Sequence, residues 1–229
     1  FKKGDRVLGL TRFGGYAQYA VTQAQAVSHM PEEAPIGTGC ALATQCVTAY
    51  HAAILSQTLL PGEKVLIHAA AGGLGTALVQ IALWKGCTVI GVAGGSEKVE
   101  YLKNLGVHHV VDHHRINWTD YVHQHLNGRV DVIFDNIGGS SIKKGKSVLA
   151  HGGRIVTLGA AALSGKKGKL NLIRLGLGFG FFSPIAYLSK SQSLIGVNML
   201  KIADYRPDML AESFKGVTTL HSKGILNPH

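Results

Sequence analysis

The sequence is poor in cysteine and in charge, and each shortage excludes a class of protein. Only three cysteines occur among the 229 residues, at Cys40, Cys46 and Cys87, and no two have CxxC spacing. This argues against a cysteine zinc site and a disulfide framework, and it favours a reducing compartment. Charged residues make up 16% and apolar residues 46% of the chain. That balance excludes a disordered protein and predicts one large core or two modest ones.

The sequence also lacks an initiator methionine and a recognisable signal peptide. Residues 1–5 are already polar, and the chain starts and stops as if in mid-domain, so we expect a cytoplasmic protein with both ends cut. Acidic residues are scarce: 13 of them face 23 lysines and arginines, which gives a formal net charge of +10. A basic balance predicts an anionic partner, whether a nucleotide, a nucleic acid or a membrane surface.

Strand and helix alternate through the middle of the chain. Helices are predicted at 74–85, 96–105, 117–127 and 140–150, and they separate strands predicted at 64–69, 88–93, 108–111, 131–135 and 153–159. A sixth strand is predicted at 193–197. Such alternation is typical of a parallel sheet with helices on both faces, so we predict an α/β fold with a doubly wound, six-stranded Rossmann sheet. Short strands at 5–10 and 15–21 and helices at 38–55 and 207–222 flank it.

One apolar stretch, residues 170–188, does not belong to this alternation. A membrane-spanning helix needs about 20 apolar residues. Asn171, Arg174 and Pro184 interrupt this one. One or two buried or interface helices are therefore the favoured interpretation, and a transmembrane helix is the alternative.

A glycine-rich turn joins the first strand of the series to its helix. Residues 68–75 read HAAAGGLG, so Ala70, Gly72 and Gly75 take the three positions of G-x-G-x-x-G. In this context Gly72 allows the backbone to approach a pyrophosphate, and Gly75 allows the helix to pack close to the strand. The helix N-terminus offers N–H groups to the phosphates. The turn therefore predicts a dinucleotide site, and a tight turn without a ligand is the alternative.

The end of the second strand bears on the choice of cofactor. A site for NAD usually carries an acidic residue there. Residues 92–95 contain none, and Ser96 and Lys98 follow at once. Because a hydroxyl and an ammonium group attract a 2′-phosphate, we predict NADPH. The alternative for Lys98 is a solvated lysine in the first turn of a helix.

The fourth and fifth strands end in residues that would face the same crevice. Asn136 follows the fourth strand, and Gly159 ends the fifth. The C-terminal ends of the strands flanking the reversal of strand order line the cofactor crevice in this kind of sheet. Ordinary strand-to-helix turns account equally well for Gly138 and Gly139.

Several segments resemble one known family in the same order along the chain. Residues 4–7, 14–20, 38–53, 61–75 and 153–159 are similar to the medium-chain dehydrogenase/reductase superfamily, in its zinc-free quinone oxidoreductase branch. Residues 131–139, 144–145 and 170–190 resemble the vesicle amine transport protein homologues of that branch. The resemblance implies a GroES-like β domain split around a Rossmann domain. It places a partial GroES-like domain at 1–35, the Rossmann NADP-binding domain at 36–205 and a return segment at 206–229.

The resemblance also implies roles for individual residues. Thr48 would face the nicotinamide and the substrate, and Lys98 would bind the 2′-phosphate. His113 stands where the family usually has a tyrosine near the adenosine phosphate. Because histidine loses its positive charge as the pH rises through neutrality, we expect the affinity for NADP to fall over that range. The remaining implied cofactor contacts are Ala71, Gly72, Gly73 and Leu74 at the pyrophosphate, Asn136 and Gly159 along the cleft, and Val197 and Asn198 at the nicotinamide.

Taken together, these patterns predict a zinc-independent enzyme that transfers hydride from NADPH to a quinone or an α,β-unsaturated carbonyl compound. The family usually forms homodimers. The alternative is a catalytically weak NADPH-binding module that associates with vesicles, membranes or RNA; the net charge, the apolar stretch and lysine runs at 143–146 and 166–169 motivate it. A metal site is not expected, because His123 and His125 would not share a helix face.

Overall fold

A computed structural model of the chain describes residues 1–159, 179 and 182–228. The strands are β1 Val7–Gly9, β2 Val27–His29, β3 Lys64–His68, β4 Thr88–Ala93, β5 His109–Asp112, β6 Val130–Asp135, β7 Leu149–Thr157 and β8 Ser193–Gly196. The α-helices are α1 Ile36–Ala41, α2 Val47–Tyr50, α3 Gly73–Trp84, α4 Ser96–Asn104, α5 Trp118–His125, α6 Ser140–Val148, α7 Pro184–Leu188, α8 Met199–Tyr205 and α9 Pro207–Ser222.

Six strands form one parallel sheet in the order β5-β4-β3-β6-β7-β8. The register places Val65 of β3 beside Val89 of β4 on one side and Val132 of β6 on the other. These three valines are fully buried, which explains why the strands read as continuous apolar runs rather than as alternating ones. The predicted doubly wound α/β sheet is therefore confirmed. Its strand order reverses between β3 and β6, the point at which such sheets bind ligands.

Helices cover both faces of the sheet. One core gathers Leu78 and Ile81 of α3 with Leu102 of α4. The other contains Trp118 and Val122 of α5 and Ile142 of α6. Neighbouring residues of β6 divide between them, since Phe134 belongs to the first core and Ile133 to the second. The C-terminal edge of the sheet is thereby left open between the two helical layers.

The Ala-rich segment predicted as a helix at 38–55 is helical in four consecutive parts. These are α1, a π-helical turn at Leu42–Cys46, α2, and a second π-helical turn at His51–Leu55. α2 packs against α3 on one side and α9 on the other. Small buried residues, Ala49 and Ala52 among them, permit this close packing.

The strand predicted at 15–21 is wrong. β1 instead pairs antiparallel with β2, with Val7 opposite His29. Tyr16, Tyr19 and Val21 are each at least 90% exposed. No strand lies beside residues 15–21 within the described part of the chain, so their backbone has no ladder to join. Alternating apolar residues alone do not make a strand in the absence of a pairing partner.

Most of the apolar stretch 170–188 lies outside the described residues, as does the lysine run at 166–169. Of that stretch the structure describes Phe179 and residues 182–188, which include α7. Over the ranges that the structure covers, no helix combines the length and the apolar character needed to cross a membrane.

Candidate functional site

The glycine-rich turn has the tight geometry that its sequence predicts. After β3 the backbone at Ala69 takes a left-handed conformation (φ 49°), and α3 starts at Gly73. At Gly75, a β-carbon would collide with the carbonyl oxygen of Ala69 and would lie 2.7 Å from the Cα of Ala70. The helix and the strand therefore approach so closely that only glycine is tolerated at this position. No side chain caps α3, so its first N–H groups face the turn.

A cavity of about 270 Å³, here called the Lys98 cavity, adjoins this turn. The predicted residues Ala71, Gly73 and Lys98 line it together. Two residues that the sequence analysis did not consider, Gln45 and Glu97, line it as well. The side-chain amide of Gln45 covers Gly73 so closely that no β-carbon could be accommodated there. Glu97 brings a negative charge next to Lys98, so the cavity is less positive than Lys98 alone suggests.

The end of β4 carries no acidic residue, as predicted, but the neighbouring strand supplies one. The carboxylate of Asp112, at the end of β5, accepts hydrogen bonds from the N–H groups of Gly95 (3.3 Å) and His114 (3.0 Å). The hydrogen bond from the His114 N–H has the largest effect and lowers the pKa of the Asp112 carboxyl. The Gly95 N–H and the nearby charges of His114 and Arg115 lower that pKa as well. Its charge is thus partly compensated within the turn itself. Ser96 begins α4 beside this turn and is exposed.

A larger cavity of about 600 Å³, the histidine cavity, lies on the other side of the β4 end, between α5 and α6. Among the described residues, its lining includes the basic side chains of His113, His114, Arg115 and Lys144 and no carboxylate. His113 and His114 stand directly over Gly94, because a β-carbon there would lie 2.8 Å from the Nε2 atom of each. The structure therefore places His113 next to the predicted phosphate region. It belongs to a cluster of basic residues there, and of that cluster the sequence predicted only His113 as a cofactor contact.

A buried polar group forms the floor of the histidine cavity. His68 Nε2 lies 3.3 Å from Ser141 Oγ and 3.9 Å from Asp135 Oδ2, and the Trp118 ring packs edge-on against the imidazole. Burial lowers the pKa of His68 well below its ordinary value, although the charge of Asp135 opposes this. Because Ser141 and Asp135 both approach the same ring nitrogen, the three residues do not form a serine–histidine–aspartate relay.

Asp135 also shapes the loop that follows β6. Its Oδ1 accepts hydrogen bonds from the N–H groups of Ile137 (2.8 Å) and Gly138 (2.7 Å). This turn holds Asn136 at the C-terminal edge of the sheet, where its carbonyl oxygen lies close to Gly159. The side-chain Oδ1 of Asn136 is buried and has no hydrogen-bond partner in the described structure. Such an atom is unusual in a folded protein.

The third cavity, the Thr48 cleft, measures about 640 Å³ and gathers four predicted residues. Thr48 reaches it from α2, Gly159 from the end of β7, and Val197 and Asn198 from the end of β8. The N–H of Val197 donates to Thr157 O (3.0 Å), which holds the two strand ends together. Asn198 caps α8 by accepting the N–H of Lys201 (3.3 Å).

The Thr48 hydroxyl is already engaged in this structure. It donates a hydrogen bond to the carbonyl oxygen of Thr44, one turn earlier (2.7 Å). Because its proton is donated to Thr44 O, the hydroxyl in this rotamer can act toward the cleft only as an acceptor. α2, which carries it, lies between the two π-helical turns, and such turns are frequent at functional sites.

The described residues contain no group of three or more histidine, cysteine or acidic side chains placed to hold a metal ion. His123 and His125 point to different neighbours: His125 stacks on Tyr121 at 4.2 Å, whereas His123 lies against Gly128. Gly72 lies in the glycine-rich turn, and Leu74 lies in the first helical turn of α3. Neither of these predicted residues lines any of the three cavities.

Comparison with known proteins identifies relatives of this chain. A family model described as zinc-binding dehydrogenase matches residues 73–214. Human quinone oxidoreductase is 33% identical over 201 residues, which cover 87% of this chain and 56% of that protein. The human synaptic vesicle membrane protein VAT-1 homolog is 30% identical over 231 residues, covering 100% of this chain and 58% of the relative. The chain thus spans little more than half the length of these curated relatives.

The fold agrees with solved structures. The crystal structure of Escherichia coli quinone oxidoreductase complexed with NADPH superposes with a TM-score of 0.81 at 21% identity, covering 99% of this chain and 66% of that one. At this identity the likeness establishes the fold alone. The family match and the curated relatives add the lineage: the chain belongs to the zinc-binding dehydrogenase family, within the quinone oxidoreductase branch of the medium-chain dehydrogenase/reductase superfamily.

Proposed function

We propose that the protein is an oxidoreductase that transfers a hydride from NADPH to a quinone or an α,β-unsaturated carbonyl compound without using zinc. The Thr48 cleft carries this proposal. It brings Thr48, Gly159, Val197 and Asn198 together from three separate parts of the chain, at the open edge of the sheet. Ligand sites in such sheets lie at this edge. The relative named quinone oxidoreductase supports the substrate class.

The residues present suit a dinucleotide. The close approach at Gly75 leaves the start of α3 exposed to a pyrophosphate, and Ala71 and Gly73 lie beside it. We assign Asn136 to the cofactor cleft, because its carbonyl oxygen lies close to Gly159 at the edge of the sheet. We assign Lys98, Ser96 and His113 to the 2′-phosphate and Gly72 and Leu74 to the pyrophosphate.

When bound, the reduced nicotinamide supplies the hydride. The protein's part is to hold the acceptor carbon close to the nicotinamide and to stabilise the negative charge that develops on the acceptor oxygen. Thr48 stabilises that negative charge after rotating its hydroxyl away from Thr44 O. The lost neutral hydrogen bond contributes about 1 kcal/mol, whereas a bond to a charged oxygen contributes about 1.5–3 kcal/mol, so the rotation is favourable as charge develops.

The final proton comes from solvent in this proposal. None of the described residues that line the Thr48 cleft has an ionisable side chain. Those residues offer no general acid, so the proposal takes the proton from a water molecule at the mouth of the cleft.

The test is oxidation of NADPH by the full-length protein with a panel of quinones and enones. We expect turnover, and we expect Thr48→Val to lower kcat roughly a hundredfold, as the loss of one donor to a developing oxyanion typically does. Thr44→Val is the matched control, because Thr44 lies one helical turn away, is exposed and lines none of the three cavities. Saturable NADPH binding without turnover would contradict the proposal.

The assignment of Lys98 predicts a difference between the two cofactors. Lys98→Ala should weaken NADPH by about tenfold, or roughly 1.4 kcal/mol, and should leave NADH nearly unchanged, because only NADPH carries the 2′-phosphate. Titration of each cofactor measures this. Glu97→Gln, which removes the opposing charge from the same cavity, should strengthen NADPH binding instead. Equal weakening of NADPH and NADH by Lys98→Ala would refute the assignment.

A second candidate function is a catalytically weak NADPH-binding module at a membrane surface. One observation favours it: on α7 the side chains of Ile185 and Leu188 are 76% and 80% exposed, and Lys190 follows them. A relative is named a synaptic vesicle membrane protein. Co-sedimentation with anionic vesicles, together with the absence of NADPH oxidation, would favour this candidate over the enzyme.

A further inference from the structure

Gln45 lies at the junction of two parts of the candidate site. It belongs to the π-helical turn Leu42–Cys46, three residues before Thr48, and its side chain lines the Lys98 cavity. Helical residues three positions apart lie on the same side of their segment. One short segment therefore reaches the Thr48 cleft through Thr48 and the Lys98 cavity through Gln45.

The side-chain amide of Gln45 lies over the start of α3. Its oxygen, carbon and nitrogen atoms are at nearly equal distances from the position that a β-carbon on Gly73 would take. The plane of the amide, rather than its N–H edge, therefore faces Gly73. Gln45 is exposed, and its amide makes no hydrogen bond to another described residue. Its two N–H donors are thus free beside the first turn of the helix.

The surroundings of this amide suit an anion. α3 begins without a side-chain cap and has no acidic residue in its first turn. Its first N–H groups therefore present a partial positive charge to the glycine-rich turn. Because the Gln45 amide covers the first residue of the helix, its N–H donors add to this group. Among the described residues, the acidic one that lines the cavity is Glu97, in the first turn of α4.

We propose that Gln45 is a cofactor-binding residue whose amide donates a hydrogen bond to the pyrophosphate of the dinucleotide. This inference rests on the proposed function, which assigns Thr48 to the nicotinamide end of NADPH and Lys98 to the 2′-phosphate. The pyrophosphate of a dinucleotide lies between those two ends. Gln45 lies between them as well, since its segment carries Thr48 and its side chain lines the cavity of Lys98.

The inference is tested by calorimetric titration of NADPH and NADH into the full-length protein and its variants. Both cofactors carry the pyrophosphate. Gln45→Ala should therefore weaken the binding of both by about tenfold, the low end of the effect of a hydrogen bond to a charged group. Lys98→Ala should weaken NADPH alone, so the two variants separate the two phosphate sites. An effect of Gln45→Ala on NADPH alone would overturn the inference.

Gln45→Glu separates binding from packing. Glutamate has nearly the shape of glutamine, but it replaces the N–H donors by a second anionic oxygen. If the amide binds the pyrophosphate, the carboxylate repels it, and Gln45→Glu should weaken both cofactors by about a hundredfold, more than Gln45→Ala does. If the side chain only fills the space over Gly73, the glutamate variant should bind like the unmodified protein. That result would overturn the inference.

Gln124→Glu is the matched control. It makes the same substitution at an exposed glutamine of α5 that lines none of the three cavities, so both cofactors should bind as they do to the unmodified protein. Weakening equal to that of Gln45→Glu would show an effect of net charge and would sink the assignment. Urea denaturation of each variant checks that the fold is kept, as expected for substitutions at exposed positions.

Oxidation of NADPH with quinones and enones distinguishes this inference from the proposed function. If the Gln45 variants show the expected order of affinities but no acceptor is reduced, the assignment of Gln45 stands and the proposed reaction falls. If acceptors are reduced and the Gln45 variants bind both cofactors like the unmodified protein, the reaction stands and the assignment falls. If neither cofactor binds, both fall.

Discussion

At the scale of the residue, His68 shows how burial decides the chemistry of a side chain. It is 1% exposed, it is enclosed by Asp135, Ser141 and Trp118, and the charge of His113 also acts on it. Burial lowers its pKa, and Asp135 opposes that effect without overcoming it. The imidazole is therefore neutral at pH 7. In this state it contacts the Ser141 hydroxyl at the floor of the histidine cavity.

This arrangement predicts a pH dependence of stability. The folded protein holds the pKa of His68 below its unfolded value of about 6.5, so the unfolded chain takes up the proton first as the pH falls. The free energy of unfolding should therefore decrease below pH 6.5, by up to about 1.4 kcal/mol per pH unit from this group. Urea denaturation of the unmodified protein and of His68→Gln between pH 7 and 5 measures the effect. The variant should lose less stability on acidification.

The control for this measurement is His123→Gln, which changes an exposed histidine on α5. Its stability curve should run parallel to that of the unmodified protein. If the His68→Gln curve were parallel too, the lowered pKa would be refuted, whatever the absolute stability of the variant.

At the scale of the element, the helical segment 36–55 and α9 hold Thr48 in place. α2 is only one turn long, and it is packed between α3 and α9. The ring of Tyr50 rests on Gly216 of α9, where a β-carbon would collide with three ring atoms. Nearby, Ser213 Oγ lies 3.4 Å from His51 Nδ1. The position of Thr48 in its cleft thus depends on contacts with a helix more than 150 residues away in the sequence.

Gly216→Ala should therefore destabilise the protein. Overpacking against Tyr50 costs about 1–3 kcal/mol, and the better helix propensity of alanine offsets up to about 1 kcal/mol of that. We expect a net loss of about 1–2 kcal/mol in urea denaturation. Gly37→Ala is the matched control: Gly37 is also helical, but a β-carbon there would meet no atom within 4 Å, so that variant should be as stable as the parent or more so. Equal effects of both substitutions would contradict the packing argument.

The elements also show where sequence patterns are sufficient. β3, β4 and β6 are predicted almost to the residue, because short runs rich in Val and Ile and bounded by turn residues are typical of strands at the centre of a parallel sheet. Residues 15–21, also predicted as a strand, are exposed instead, because a strand depends on a neighbour that the local pattern cannot supply.

At the scale of the whole molecule, the parts of the candidate site lie along the open C-terminal edge of the sheet. The Lys98 cavity, the histidine cavity and the Thr48 cleft all lie at the ends of strands and the starts of helices along this edge. Of the 23 lysines and arginines, Arg115 and Lys144 line the histidine cavity beside His113 and His114. The family's homodimer, the cytoplasmic location and the division into domains at 35 and 205 remain predictions.

The sequence by itself determined the parallel sheet and the glycine turn, because apolar periodicity and turn chemistry are local properties of the chain, and it indicated the lineage through the family resemblance. It also identified Gly159 from its place at a strand end, and Thr48, Val197 and Asn198 through the family resemblance. Only the tertiary structure decided that these four residues share one cleft and that Glu97 and Asp112 stand near the predicted phosphate region. The physical reason is that a site is built from residues distant in sequence, and the packing that brings them together is not written in any one segment.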